Sequence, residues 1–373
     1  MKIGIDARML GVHNAGIGRY IEQLVAHLQN IDDDNRYVLF LKKENWNEVT
    51  LHNRHFSKVL ADIHWYGFDE QTRFSSIIEA EHVDLMHFPH WNVPLSYSAP
   101  YVLTLHDLIM YHYPRKDAST LGPLAYWIKD KIMRRVVAHA VSRAKHIFVT
   151  SEFTKHDAHK TLGVSLEKMT VTYQAPLLLK TSTSEEKKYE VLDRYAITKP
   201  YLLYVGSAYP HKNVNGLLKA WEVFNEKYSR NYQLVLAGKE NYFYKKVKEN
   251  IDLSIKDSVI FTDFVEDGGL ALLYKHAKLF VFPSLYEGFG LPPLEAMYAG
   301  VPVVSSHSAC MPEILGTAAL YIDPENPEEF ATAMHTVLTD YDVRAQLQEN
   351  AAVELQRYSW KNTARQTLEV YNK

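Results

Sequence analysis

The sequence predicts an α/β fold made of two parallel-sheet domains, and three observations point there. Short apolar, β-prone runs alternate with longer helical patterns, the signal for parallel strands joined by crossover helices. The chain has 373 residues, more than one core usually holds. The alternation lapses once, between 177 and 199, around the polar run Leu-Lys-Thr-Ser-Thr-Ser-Glu-Glu-Lys-Lys. The first half offers strands at 2–6, 36–42, 85–89, 101–106, 146–150 and 169–174, with helices at 17–30, 69–81, 122–143 and 152–162. The second half offers strands at 201–206, 232–237, 259–264, 278–282, 301–305 and 318–322. Residues 1–177 and 200–358 are therefore expected as Rossmann-like domains, with 178–199 as the linker.

Composition excludes several classes. The 47% hydrophobic and 23% charged content is that of a globular protein, and a formal charge of −3 argues against a nucleic-acid binder. Cys310 is the only cysteine, so neither an internal disulfide nor a four-cysteine zinc site can form, and a reducing cytoplasm is expected. No signal-peptide pattern and no apolar run of roughly 20 residues is present, so membrane contact is expected to be peripheral at most. The basic residues Lys129, Lys131, Arg134, Arg135, Arg143 and Lys145 accompany Leu124, Trp127, Ile128, Ile132, Val136 and Val137 within 124–146. Such a helix suits an anionic membrane surface on the inner face, or is simply a surface helix whose apolar side packs on the sheet.

Chemistry concentrates in the run Ser284-Leu-Tyr-Glu-Gly-Phe-Gly-Leu-Pro-Pro-Leu-Glu-Ala-Met297. Lys278–Phe282 reads as a buried strand, while Pro292 and Pro293 suit the opening of a helix, with Glu295 in its first turn. Backbone N–H groups of Phe289, Gly290 and Leu291 would then face outward, and the helix dipole behind them favours a phosphate. Glu287 and Glu295 flank this turn, and carboxylates accept hydroxyl hydrogens. Phosphates lying between two sets of hydroxyls describe a nucleotide sugar. Lys212 follows a strand and precedes a helix, so its ammonium can reach a diphosphate over the sheet edge where open α/β folds bind ligands. Gly16 and Gly18, in Ala-Gly-Ile-Gly-Arg-Tyr20, follow the first strand and allow close backbone approach to a diphosphate or acceptor, although Ile21 breaks the dinucleotide fingerprint. His106 closes a strand, and His87-Phe-Pro-His90 is only half of a zinc site.

Read together, Glu287-Gly-Phe-Gly-Leu-x-x-Leu-Glu-Ala296 with Gly300-Val-Pro-Val-Val304 resembles the signature of glycosyltransferase family 4, whose members have the GT-B fold of two Rossmann-like domains facing across a cleft. Asn14–Tyr20, Leu103–Asp107, Val149–Thr154 and Tyr204–Asn213 match in the same order. The resemblance implies a retaining hexosyltransferase, mannose being the first candidate sugar, that uses a GDP- or UDP-sugar donor and a saccharide or lipid-linked acceptor. It implies no cofactor and no metal. Lys212 would bind the diphosphate, Glu287 the transferred sugar, Glu295 the ribose, and Val265 with the Thr262–Val265 segment the base. His106 would lie beside the reacting sugar, and 359–373 would be a helix returning to the first domain. The chain departs from the pattern at His211, where many members carry arginine, at Asp263, where glycine is common, and at Gln174-Ala-Pro176. The alternatives are another GT-B sugar-nucleotide enzyme, a synthase or an epimerase, and an inactive nucleotide-sugar-binding subunit.

Overall fold

The computed structural model describes residues 1–11, 14–114, 122–177 and 185–373. It divides into two compact units, one formed by Met1–Leu108, Ser119–Gln174 and Ser359–Lys373, the other by Ile109–Ala118 and Ala175–Tyr358. In the first, β1 (Lys2–Asp6), β2 (Arg36–Leu41), β3 (Phe56–Leu60), β4 (Leu85–Phe88), β5 (Tyr101–Leu105), β6 (His146–Val149) and β7 (Met169–Val171) form one sheet. Its order is β3-β2-β1-β4-β5-β6-β7, and every pair is parallel. Continuous burial along β4, β5 and most of β2 marks strands covered by helices on both faces.

The second unit repeats the scheme with β8 (Tyr201–Val205), β9 (Gln233–Ala237), β10 (Val259–Asp263), β11 (Leu279–Phe282), β12 (Val303–Ser306) and β13 (Ala319–Ile322). The order is β10-β9-β8-β11-β12-β13, again all parallel. Both sheets thus reverse strand order beside their first strand, at β1/β4 and at β8/β11, and ligands of open α/β sheets bind above such reversals.

Every strand expected from the sequence is present, and β3 is an addition. As an edge strand with Ser57 and Lys58 in its middle, it buries too little to show an apolar pattern. The polar stretch read as a linker carries a helix, Glu185–Arg194, which packs on the helix Asp267–His276. The structure also moves Glu295 from the first helical turn to the second, because the helix starts at Leu291.

The C-terminal helix Trp360–Tyr371 belongs to the first unit and packs on the helix Ala15–Ile31. A buried polar chain fastens it. The Tyr371 hydroxyl lies 2.5 Å from His87 Nδ1, His87 Nε2 lies 2.8 Å from Thr104 Oγ1, and Thr104 Oγ1 lies 3.1 Å from the Tyr20 hydroxyl. His87 of the His-x-x-His pair is therefore a structural residue with both ring nitrogens occupied. Burial, with a smaller contribution from His106, pushes its pKa down to about 3.

That depression predicts an acid-labile fold. The unfolded chain protonates His87 near the ordinary value of about 6.5, whereas the native state resists until about 3, so stability is complete above the first value and lost as pH falls toward the second. The slope approaches about 1.4 kcal/mol per pH unit for each such histidine. Urea midpoints should fall between pH 6.5 and 5, a window above the titration of ordinary carboxylates. A midpoint that is flat there would contradict a neutral, buried His87.

Candidate active site

At the β8/β11 reversal the chain builds a site from two loops. After β8 it passes through Gly206 into a tight turn, Pro210–Lys212, closed by Asn213 in the left-handed region at φ 53°. The Asn213 side-chain amide donates to the Pro324 carbonyl at 2.8 Å, and the helix Val214–Lys227 starts behind it. The loop after β11 is joined to this turn where the Leu285 N–H donates to the His211 carbonyl at 2.7 Å. His211 is buried with its ring stacked on Tyr209, so a packed ring, and not a second cation, precedes Lys212.

This joint brings Lys212 Nζ within 2.6 Å of Glu287 Oε1. The side chains retain only 17% and 8% of their exposure, and the ammonium also lies 5.6 Å from the Phe282 ring. A charge pair so far removed from water needs close geometry to offset its desolvation. An incoming phosphate can share the ammonium, and sugar hydroxyls can donate to the carboxylate. The two residues stand 75 apart in the chain, and the adjacency of β8 and β11 in the sheet creates the pair.

The helix Leu291–Tyr298 opens beside it. Gly290 caps that helix at φ +93°, a conformation L residues rarely adopt, and a Cβ there would stand 2.5 Å from Met311 Cε. Gly290 has no side chain to cap the helix start, and because Pro292 and Pro293 carry no N–H, the backbone donors at this end are those of Gly290 and Leu291. Phe289 is buried edge-on against Tyr358, and its carbonyl accepts from Cys310 Sγ at 3.3 Å. Burial, reinforced by Glu287, raises the Cys310 thiol well above its usual range, which makes it a packing group.

Glu295 is buried, and its Oε2 accepts the Tyr274 hydroxyl at 2.9 Å. Tyr274 was not among the sequence candidates, because it sits in the apolar run Leu270–Tyr274 and reads as core. The one signal was its phenol, which needs a partner when buried. Tyr274→Phe should weaken nucleoside diphosphate binding about tenfold, since a hydrogen bond to a charged group contributes roughly 1.5 kcal/mol or more. Calorimetry checks this, and unchanged affinity would mean that the phenol does not orient Glu295. Val265 lines a cavity with Lys187, Glu190, Arg194 and Leu272, between the helices Glu185–Arg194 and Asp267–His276. Asp263 occupies φ +60°, a region glycine enters without steric cost, and its Oδ1 accepts the backbone N–H groups of Glu240 and Phe264.

The remaining candidates, Gly16, Gly18 and His106, belong to the first unit. A Cβ on Gly18 would stand 2.0 Å from the Gly11 carbonyl oxygen, so its glycine serves the chain's own turn, while Gly16 is exposed with open space around it. His106 Nε2 donates to the Pro89 carbonyl at 2.9 Å, which leaves Nδ1 to accept from the Gln174 amide at 3.2 Å. Gln174, one of the departures from the family pattern, thus holds the ring in one tautomer. The Tyr20 ring meets it edge-on at 4.9 Å. Burial pushes the His106 pKa down to about 4, so the ring is neutral. Among the described residues, no group of three or more His, Cys, Asp or Glu side chains converges as a metal site.

Two family models match the chain, "Glycosyltransferase Family 4" over residues 15–175 and "Glycosyl transferases group 1" over 193–354. An O-antigen chain mannosyltransferase of Salmonella typhimurium, RfbU, is 26% identical over 343 residues, covering 89% of this chain and 90% of the relative. O-antigen chain mannosyltransferase B of Escherichia coli is 29% identical over 274 residues, covering 72% and 69%. Among solved structures, Anabaena HepE in complex with UDP and glucose superposes with a TM-score of 0.75 at 18% identity, covering 100% of this chain and 99% of that one. WaaG, a glycosyltransferase involved in lipopolysaccharide biosynthesis, gives 0.70 at 16% identity over 99% of each chain. With both halves matched and both sheets wound alike, the chain belongs to glycosyltransferase family 4 and is a glycosyltransferase of GT-B fold.

Proposed function

We propose that the enzyme moves a hexose, mannose first among the candidates, from a GDP- or UDP-sugar to a hydroxyl of a saccharide or lipid-linked saccharide, with retention of anomeric configuration. One observation carries the donor half: the Lys212–Glu287 pair beside the uncapped helix start at Gly290, above the β8/β11 reversal. As the glycosidic bond breaks, negative charge grows on the diphosphate. Lys212 and the backbone N–H groups of Gly290 and Leu291 bind that charge more strongly in the transition state than in the ground state, and this difference accelerates the reaction. Glu287 accepts from hydroxyls of the sugar, and Glu295, held by Tyr274, accepts from the ribose. Phe289, Gly290 and Leu291 supply backbone contacts, Val265 borders the base, and Gly16 and Gly18 belong to the diphosphate or acceptor side. The acceptor attacks from the face that the diphosphate leaves, and a diphosphate oxygen takes its proton. No resident metal or cofactor enters this scheme. His106, neutral with both ring nitrogens engaged by Pro89 and Gln174, borders the reacting sugar as a fixed, uncharged ring.

The names of the relatives favour mannose and a bacterial surface glycan, while the UDP complexes of HepE keep both bases open. A cytoplasmic enzyme at the inner membrane face is part of the proposal. Incubating the protein with GDP-mannose or UDP-glucose and an oligosaccharide, then reading the anomeric carbon by NMR, tests it. An α-linked product from an α-linked donor is expected. An inverted product would remove the retaining mechanism, a product formed without acceptor would favour an epimerase, and absence of turnover would favour a binding subunit.

A further inference from the structure

The helix Pro123–Arg143 changes the side on which it is apolar halfway along. Val136, Val137, Ala140 and Val141 are all buried, and the helix packs on β5. Leu124, Trp127, Ile128 and Ile132 are 71%, 57%, 46% and 57% exposed. At 100° per residue the two groups centre about 180° apart on the helix. The half-buried Tyr126, Asp130, Met133 and Arg134 continue the packed side through the first turns, so the four large apolar residues point away from the sheet.

Two cations share the exposed apolar side, since at 100° per residue Lys131 and Arg135 fall within its sector, while Lys129 and Arg143 lie on its flanks. Every exposed charged residue from 124 to 145 is a cation, namely Lys129, Lys131, Arg135, Arg143 and Lys145. The sole carboxylate of the helix, Asp130, is half-buried and paired with Arg134 Nε at 2.7 Å. The Lys131 ammonium lies 5.8 Å from the Trp127 ring, so basic and apolar groups share one surface. The chain as a whole carries −3, which makes this concentration local.

We infer that the first three turns of this helix dock on an anionic lipid bilayer, with Leu124, Trp127, Ile128 and Ile132 in the headgroup–acyl boundary and the cations against lipid phosphates. Trp is enriched at that boundary, and an exposed apolar stripe edged with Lys and Arg is the pattern of a helix lying in the interface plane. A protein partner fits less well, because protein interfaces are depleted of lysine at their centres. The helix carries this inference alone, so it survives a failure of the donor-site reading.

Sedimentation of the whole protein with vesicles tests it. Binding is expected to vesicles of equimolar phosphatidylcholine and phosphatidylglycerol and to be weak on phosphatidylcholine alone. W127S/I132S should weaken that binding about tenfold, and K131E/R135E by at least about tenfold, given roughly fivefold per cation at an anionic surface. These positions are exposed, so melting temperatures and turnover on a soluble acceptor should not change. Equal binding to both vesicle types, or variants that bind like the parent, would overturn the inference. So would a dimer that W127S/I132S dissociates while the parent ignores vesicles, since the face would then belong to a second copy.

Discussion

Lys212→Ala should lower turnover by about two to three orders of magnitude, the loss seen when one preorganised transition-state donor is removed. His211 is packed into the interior rather than carrying a guanidinium, so in the proposed reaction the charge on the departing diphosphate would rest heavily on this one ammonium. The fold should persist, because the turn around Lys212 is held by backbone and Asn213 bonds that the substitution leaves alone. Glu287 would lose its partner while only 8% exposed, so some loss of melting temperature should accompany the loss of rate. A folded variant with parental turnover would exclude Lys212 from the reaction.

The two carboxylates should separate by function. Glu295→Ala removes the proposed ribose acceptor together with its hydrogen bond from the Tyr274 phenol, so affinity for the free nucleoside diphosphate should drop by about tenfold or more. Glu287→Ala should leave that affinity within about twofold, since the free diphosphate lacks the sugar it contacts, yet it should depress transfer strongly. Calorimetry on both variants with GDP and UDP, beside turnover numbers, gives the comparison. The reverse pattern would exchange the two assignments.

What the sequence made legible follows from how local each feature is. The strands, the glycine turn and the helix opening at Pro292 and Pro293 are written in runs of a few residues, and they lie where those runs predict. The 2.6 Å contact between Lys212 and Glu287 was not legible, because it depends on β8 and β11 being neighbours, which sheet order decides. Tyr274 was hidden for a different reason: inside an apolar helix a tyrosine looks like filling until its hydroxyl is seen to meet Glu295. The helix Glu185–Arg194 was masked by its polarity, being supported by pairs such as Arg194 with Glu190 at 3.0 Å rather than by an apolar stripe. In the basic helix, apolar residues of both halves were visible, but their opposite facing became apparent only once the packed side was known.

Nucleoside diphosphate release, followed together with glycoside formation, tests the central claim most directly. With a GDP- or UDP-hexose and a saccharide acceptor, the purified enzyme should release one nucleoside diphosphate for each glycoside formed, and omission of acceptor should suppress most of the release. Release without any glycoside, or no release from any nucleoside diphosphate hexose by correctly folded protein, would contradict glycosyl transfer at the Lys212–Glu287 site.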